Sequence, residues 1–172
     1  TAGVCAPSRA SLLLGRHQMT TGTQHMRVST GLPRGPQKYE AVPPALLKGY
    51  PELMRANGYY TTNNFKTDYQ VGEPFTIWDE SSMTADWRGR AKGQPFFAMF
   101  TLLQSHESFL WPVDREPTNA TERLIFNMVT QFAPDREYKT NPAHIDVPPY
   151  YPDNAQVRKT MALLYDNISY TD

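Results

Sequence analysis

Residues 95–102 read PFFAMFTL, a nearly continuous apolar run that predicts a β-strand covered on both faces, as in a parallel sheet. A second strand is predicted at 59–62, where aromatic and β-branched residues follow Gly58. A helix is predicted just before it, with Pro51 in its first turn. A last helix is predicted at about 154–170 from the spacing of apolar residues. Helices that alternate with buried strands favour an α/β sandwich.

The remaining segments carry weaker signals. Apolar residues at 11–14 predict a helix that ends at Gly15. Residues 15–45 are rich in Gly, Pro, Thr and Gln, which predicts a long surface loop. A short polar helix is predicted within 84–94. Residues 109–153 contain many prolines, so an irregular connection is expected there.

Composition excludes several classes of protein. The chain has 172 residues, of which 17 are basic and 17 acidic, so its formal net charge is zero. Bulk charge therefore gives no reason to expect a nucleic-acid partner or a membrane surface. One cysteine excludes an internal disulfide and a cysteine metal cluster. No stretch is long and apolar enough to predict a membrane span.

Two polar residues follow the predicted strands. Lys66 comes after the strand at 59–62, and His106 comes after the strand at 95–102. In open α/β sheets, ligands bind beyond the carboxyl ends of the strands. We therefore expect both side chains at a binding site. A lysine in such a place is more often merely exposed, and a histidine at a strand end is more often structural.

The chain's lone cysteine lies in residues 5–16, which read CAPSRASLLLGR. A lone cysteine is most often a small buried residue. Here it precedes a predicted helix, whose first N–H groups and dipole favour an anion. The run resembles the nucleophile segment of the type I sulfatases. In that family the cysteine becomes Cα-formylglycine, an aldehyde whose hydrate attacks the sulfur of a sulfate ester. The resemblance implies that Cys5 is catalytic and that Arg9 bonds the hydrated aldehyde.

Two further segments are similar to the same family. Residues 58–69, GYYTTNNFKTDY, resemble the segment whose lysine binds the substrate sulfate. The strand that leads to Ser105-His106-Glu107 resembles the one that delivers an active-site histidine. Lys66 and His106 are therefore candidates for sulfate binding and for protonation of the leaving group. Many members have a histidine two residues after the lysine; this chain has Asp68, whose role the sequence leaves open.

A third candidate segment follows the predicted nucleophile helix. Residues 21–27 read TGTQHMR, and His25 and Arg27 are candidates for lining a substrate pocket. A loop that packs against its own domain explains the same residues at least as well.

The resemblance covers most of the chain and is closest to the carbohydrate sulfatases that include heparan N-sulfatase. It implies an alkaline-phosphatase-like α/β sandwich with a mostly parallel sheet. It also implies hydrolysis of a sulfate ester or sulfamate on a sulfated saccharide, with a calcium ion beside the formylglycine. A formylglycine-generating maturation enzyme would be a partner. The family likeness suggests a periplasmic or secreted protein.

The metal ligands are where the chain departs from the family pattern. The family holds its metal with an Asp-Asp pair before the nucleophile and an Asp-Asn or Asp-His pair further on, and neither is present. Cys5, as formylglycine, is the one expected ligand, whereas Ca²⁺ takes six to eight oxygens. We therefore interpret residues 1–172 as the central part of a catalytic domain, truncated at both ends. These residues alone are expected to bind calcium poorly and to be inactive.

Two alternatives remain open from the sequence. A phosphonate monoester or phosphodiester hydrolase of the same superfamily can share the Cys-x-Pro-x-Arg nucleophile. A non-catalytic binding protein that kept the sulfatase fold is the other. Failure to convert Cys5 favours the binding protein, whereas extra cationic ligands favour the phosphorus substrate.

Overall fold

The computed structural model of the protein describes residues 3–26, 39–72, 76–111, 115–133 and 139–172. The chain divides into two compact units, Thr1–Thr101 and Leu102–Asp172. Each unit is described by itself below.

A parallel sheet forms the centre of the first unit. Its strands are β1 (Tyr60–Asn64), β2 (Glu80–Ser81) and β3 (Phe96–Phe100), in the spatial order β2-β1-β3. Thr62 of β1 lies opposite Glu80 of β2 and Ala98 of β3, and both pairings are parallel. The predicted α/β class with a parallel sheet is confirmed.

Three α-helices accompany this sheet: α1 (Cys5–Leu14), α2 (Gln18–Thr21) and α3 (Tyr50–Ala56). Helix α1 ends at Gly15, as predicted, in the left-handed conformation at φ 61° that suits glycine. Helix α2 lies inside the segment that we expected to be only loop. The predicted helix at Pro51 is confirmed as α3, and Gly58, at φ 87°, redirects the chain into β1.

The middle of β1 is polar, although it is fully buried. Thr61, Thr62 and Asn63 are at most 1% exposed. The carboxylate of Asp79 accepts a hydrogen bond of 2.8 Å from the Thr61 backbone N–H and another of 2.8 Å from Arg55 Nε. Asp79 therefore joins α3 to the start of the central strand, because one side chain bonds both elements.

The expectation for β3 was wrong in two respects. The strand ends at Phe100 rather than Leu102, and Phe96 and Phe100 are 44% and 48% exposed. The two side chains are exposed because β3 pairs only with β1 and lies at the edge of the sheet in the described residues. Trp87 packs on one face, with ring centroids 6.0 Å from Phe96. The expected polar helix around Trp87 is a single 3₁₀ turn, Trp87–Gly89.

The main hydrophobic cluster of the first unit joins α1 to the segments that flank the sheet. Its buried members are Leu13, Leu14, Ala41, Tyr69, Val71, Ile77 and Trp78. Phe97 and Met99, from the other face of β3, pack against it. Burial of side chains such as Leu13 contributes roughly 1.5–3 kcal/mol each, and it fixes the last turn of α1 in this unit.

The second unit is helical. Its helices are α4 (Ala120–Phe132) and α5 (Ala155–Thr171), with 3₁₀ turns at Glu107–Leu110 and Pro142–His144. The prediction of α5 is confirmed within one residue at each end, with Asn154 as its N-cap. Helix α4 contradicts the expected irregular connection. None of the described helices has the length and apolar character that a membrane crossing requires.

Helix α4 begins with a network centred on Glu122. The Glu122 carboxylate accepts two hydrogen bonds from Arg115, at 3.0 and 2.8 Å, and one from the Thr118 backbone N–H at 2.7 Å. The Arg115 bonds are the main cause, and the Thr118 bonds the second, of a pKa lowered from 4.5 to about 2. A carboxylate in the first turn also suits the helix dipole.

The pKa of Glu122 gives a testable pH dependence. The pKa of Glu122 is lower in the folded protein than in the unfolded chain. The contribution of the ionised Glu122 carboxylate to the free energy of unfolding is therefore fully present above about pH 4.5 and is lost as pH falls through about 2. We expect the NMR shift of the Glu122 carboxyl carbon to titrate with a midpoint near 2. Arg115→Gln should move that midpoint towards 4.5. A midpoint above 4 in the unchanged protein would contradict this account of the helix start.

Candidate functional site

Cys5 is the first residue of α1, and its surroundings follow from how that helix begins. Val4 precedes it in extended conformation and offers no side-chain cap, and the first turn contains no acidic residue. Pro7 fits this first turn because its missing N–H needs no partner there. The uncapped N–H groups and the positive end of the helix dipole therefore lie beside Cys5, where they favour an anion.

The Cys5 thiol is partly exposed and lies next to a methionine. Its Sγ is 3.8 Å from the Sδ of Met26, which is itself exposed. The segment that we singled out at 21–27 therefore approaches the candidate nucleophile through Met26. His25 is exposed and packs edge-on against Tyr39, with ring centroids 6.1 Å apart. Arg27 lies outside the described residues.

Arg9 joins the nucleophile helix to the segment that follows β1. It lies four residues after Cys5, about 6 Å along the same helix. Its Nη2 donates to the backbone carbonyl of Lys66 at 2.5 Å and lies 3.5 Å from the Tyr69 hydroxyl. The guanidinium also lies over the Tyr69 ring, 5.2 Å from the centroid, in a cation–π arrangement. Arg9 Nε is buried and has no hydrogen-bond partner among the described residues.

Lys66 lies two residues after the carboxyl end of β1, as the sequence predicted. Its Nζ is 3.4 Å from Oδ2 of Asp68, and the two side chains are 15% and 13% exposed. Its carbonyl oxygen accepts from Arg9 and, at 3.4 Å, from Asn63 Nδ2. The backbone of Lys66 is thus held from two sides, while its ammonium group faces an acidic neighbour.

Two residues that contact Arg9 or Lys66 were not predicted from the sequence to have a role in the site. Asn63 lies just beyond the strand predicted at 59–62, yet it is a fully buried residue of β1, and its Nδ2 also donates to Ser81 Oγ at 3.1 Å. Its Oδ1 is buried without a hydrogen-bond partner among the described residues. The sequence assigned no role to Tyr69, which is only 2% exposed and lies beneath the guanidinium of Arg9. The available signal for Asn63 was its position next to the predicted strand, three residues before the candidate lysine.

His106 belongs to the second unit, where it is the N-cap of the 3₁₀ turn Glu107–Leu110. Its Nδ1 accepts from the backbone N–H of Ser108 at 3.2 Å and lies 2.8 Å from Ser108 Oγ. Ser108 is 3% exposed, so the imidazole is oriented by a buried partner. The histidine therefore has a structural role as a cap. Because Nδ1 is bonded in this way, Nε2 is the nitrogen that suits an exchange of protons with a ligand.

The described residues do not by themselves fit a calcium site. No three His, Cys, Asp or Glu side chains come together in the described ranges as a group that could hold a metal ion. The carboxylate nearest to the candidate cluster, Asp68, is engaged by Lys66. Calcium takes six to eight oxygen ligands, which this donor set does not supply.

The chain is similar to a characterised enzyme along its whole length. It is 39% identical, over an alignment of 192 positions, to an ulvan-active sulfatase of Formosa agariphila. That alignment covers 100% of this chain and 32% of the relative, so the chain spans about a third of the length of the curated relative that it matches. No protein-family model matches the chain, and no solved structure is significantly similar to it. The chain is therefore similar to part of a sulfatase, and it has an α/β fold built on a parallel sheet.

Proposed function

We propose that the protein containing this chain is a sulfatase that removes sulfate from a sulfated carbohydrate. The observation that carries the proposal is 39% identity over the whole chain to an ulvan-active sulfatase. The hydrogen bond that joins Arg9, on the nucleophile helix, to Lys66, in the segment after β1, supports it from the structure. Resemblance to carbohydrate sulfatases also suggests the finer comparison with heparan N-sulfatase and a periplasmic or secreted location.

The nucleophile in this proposal is Cys5 after conversion to Cα-formylglycine. A maturation enzyme uses a two-electron oxidant to convert the side chain: the Cβ–S bond and one Cβ–H bond break, water supplies the oxygen of the new C=O group, and the sulfur leaves as hydrogen sulfide. Water adds to that aldehyde and gives a hydrate with two hydroxyl groups. The partial exposure of Cys5 supports the proposal, because both the maturation enzyme and the substrate must reach this side chain.

The reaction then balances in two steps. One hydrate hydroxyl attacks sulfur, the bond from sulfur to the ester oxygen breaks, and that oxygen takes a proton and leaves as an alcohol. The second hydroxyl then loses its proton as its C–O bond becomes the aldehyde carbonyl, and sulfate departs. One water is consumed when the hydrate reforms. Calcium would supply charge stabilisation, and its ligands would have to come from outside the described residues.

The candidate site residues have the following roles in this scheme. Lys66 binds the sulfate oxygens as a cation, and Arg9 orients Lys66 and bonds the hydrate or the sulfate through its buried Nε. His106 protonates the leaving oxygen through Nε2. His25 and Arg27 remain candidates for contacts with the saccharide.

Mass spectrometry of the peptide that contains Cys5 tests the nucleophile. We expect the peptide to be about 18 Da lighter than the unmodified sequence when the complete protein is expressed with a maturation enzyme. Expression without that enzyme should leave the thiol in place. An unmodified Cys5 under both conditions would contradict the proposed chemistry and favour a binding protein with a sulfatase fold.

Substitution of Arg9 tests its link to Lys66. Arg9→Lys keeps the charge but loses the planar donor set that reaches both Lys66 and Tyr69. A hydrogen bond from a charged group contributes about 1.5–3 kcal/mol, so we expect a comparable loss in the free energy of unfolding by urea. We also expect kcat/KM to fall by about 100-fold, within the range for a displaced active-site group. Arg16→Lys, at an exposed position just after the same helix, is the matched control; equal effects of the two substitutions would refute the link.

Substitution of His106 separates its structural role from its proposed proton transfer. Asparagine is a good N-cap, so His106→Asn should keep the turn and leave the thermal midpoint nearly unchanged. Loss of general acid catalysis should lower kcat by about 10²–10⁴-fold. The loss should be smaller for sulfate esters of acidic alcohols, since their leaving groups depart without a proton. A uniform loss across leaving groups would argue that His106 acts only as a cap.

A further inference from the structure

Lys66, the proposed sulfate ligand, already has an anionic partner in its own chain. Its Nζ lies 3.4 Å from Asp68 Oδ2, and both side chains are mostly buried, at 15% and 13% exposure. Charges in such a place are screened less by water and salt than charges on an open surface. An incoming anion therefore meets a lysine whose charge is largely offset by a carboxylate.

The net charge of the cluster formed by Arg9, Lys66 and Asp68 is the sum of the charges on these three side chains. Arg9 and Lys66 each carry one positive charge, and Asp68 carries one negative charge, so the three side chains sum to +1. The hydrogen bond of 2.5 Å from the Arg9 side chain to the backbone carbonyl of Lys66 keeps Arg9 next to the Lys66–Asp68 pair. A sulfate ester carries a single negative charge, whereas free sulfate carries two. A phosphate monoester also carries nearly two at pH 8, because its second pKa is close to 6.

On the basis of the proposed sulfatase function, we propose that Asp68 is a specificity-determining residue that makes the site favour monoanionic sulfate esters over dianions. Coulomb energy scales with the charge of the ligand, so removal of one nearby negative charge strengthens the binding of a dianion twice as much as that of a monoanion. Asp68 thus weakens retention of the sulfate product and rejects phosphate monoesters. This gives a role to the carboxylate that stands where many type I sulfatases have a histidine.

Anion binding to the complete protein with Cys5→Ala tests the proposal without turnover. The probes are methyl sulfate as the monoanion, and inorganic sulfate and methyl phosphate at pH 8 as the dianions, measured by calorimetry at fixed ionic strength. In the Cys5→Ala protein, sulfate should bind no more than a few-fold more tightly than methyl sulfate. Addition of Asp68→Asn should raise the preference for both dianions over methyl sulfate by about tenfold. Asp68→Glu, which keeps the charge, should retain the original preference.

A charge control separates an effect of Asp68 from an effect of net charge. Asp146→Asn removes the same charge at an exposed position in the second unit and should not change the preference. An equal change there would overturn the proposal, because the effect would belong to net charge. An unchanged preference in Asp68→Asn would overturn it too, while leaving the sulfatase function intact.

The Cys5→Ala protein and a lysine variant complete the test. A strong preference for sulfate over methyl sulfate when Asp68 is intact would refute the role of Asp68, whatever the stability of the variants. Binding that is absent, or that does not weaken in Lys66→Gln, would instead refute Lys66 as the sulfate ligand and with it the proposed function of this site.

Discussion

The hydrogen bond from Arg9 to the carbonyl of Lys66 is the constraint on which the candidate site depends. It joins the helix that begins with Cys5 to the segment after the central strand, although the two residues are 57 positions apart. The acceptor is a backbone oxygen, so Lys66 is positioned without using its own side chain. The ammonium group takes no part in this bond, and its ion pair with Asp68 sets how strongly it attracts an anion.

The sheet makes this constraint possible. Asp79 bonds the Thr61 N–H and Arg55, which fixes the start of β1 relative to α3. The strand then delivers Lys66 beyond its carboxyl end, the edge where ligands bind in open parallel sheets. Tyr69, buried beneath the guanidinium of Arg9, belongs to the same hydrophobic cluster as Leu13 of α1. Apolar packing and the charged hydrogen bond thus hold the same two segments together.

Local signals predicted much of this arrangement, and long-range contacts account for the rest. Gly15 and Gly58 follow helix ends because of the backbone conformations that glycine allows, and the side chain of Asn154 caps the start of α5, so α1, α3 and α5 were predictable. Helix α4 was not predicted, because the prolines of residues 109–153 favoured an irregular connection. The structure shows that Asn119 caps the start of this helix. The exposure of β3 depends on which strands pair beside it, which an apolar run does not encode. Likewise, the sequence singled out the residues at 66 and 68 but not the ion pair between them.

The charge of the cluster also bears on turnover. Interactions that hold substrate and product as tightly as the transition state do not accelerate a reaction. The Lys66–Asp68 ion pair must loosen before Lys66 can bind sulfate, so it weakens the binding of both the substrate and the sulfate product. In the proposed mechanism the departing alkoxide is neutralised by a proton from His106, so its charge does not have to be met by added cations. A small net charge on Arg9, Lys66 and Asp68 together is therefore compatible with this chemistry, whereas the two cations without Asp68 would favour the dianion that has to leave.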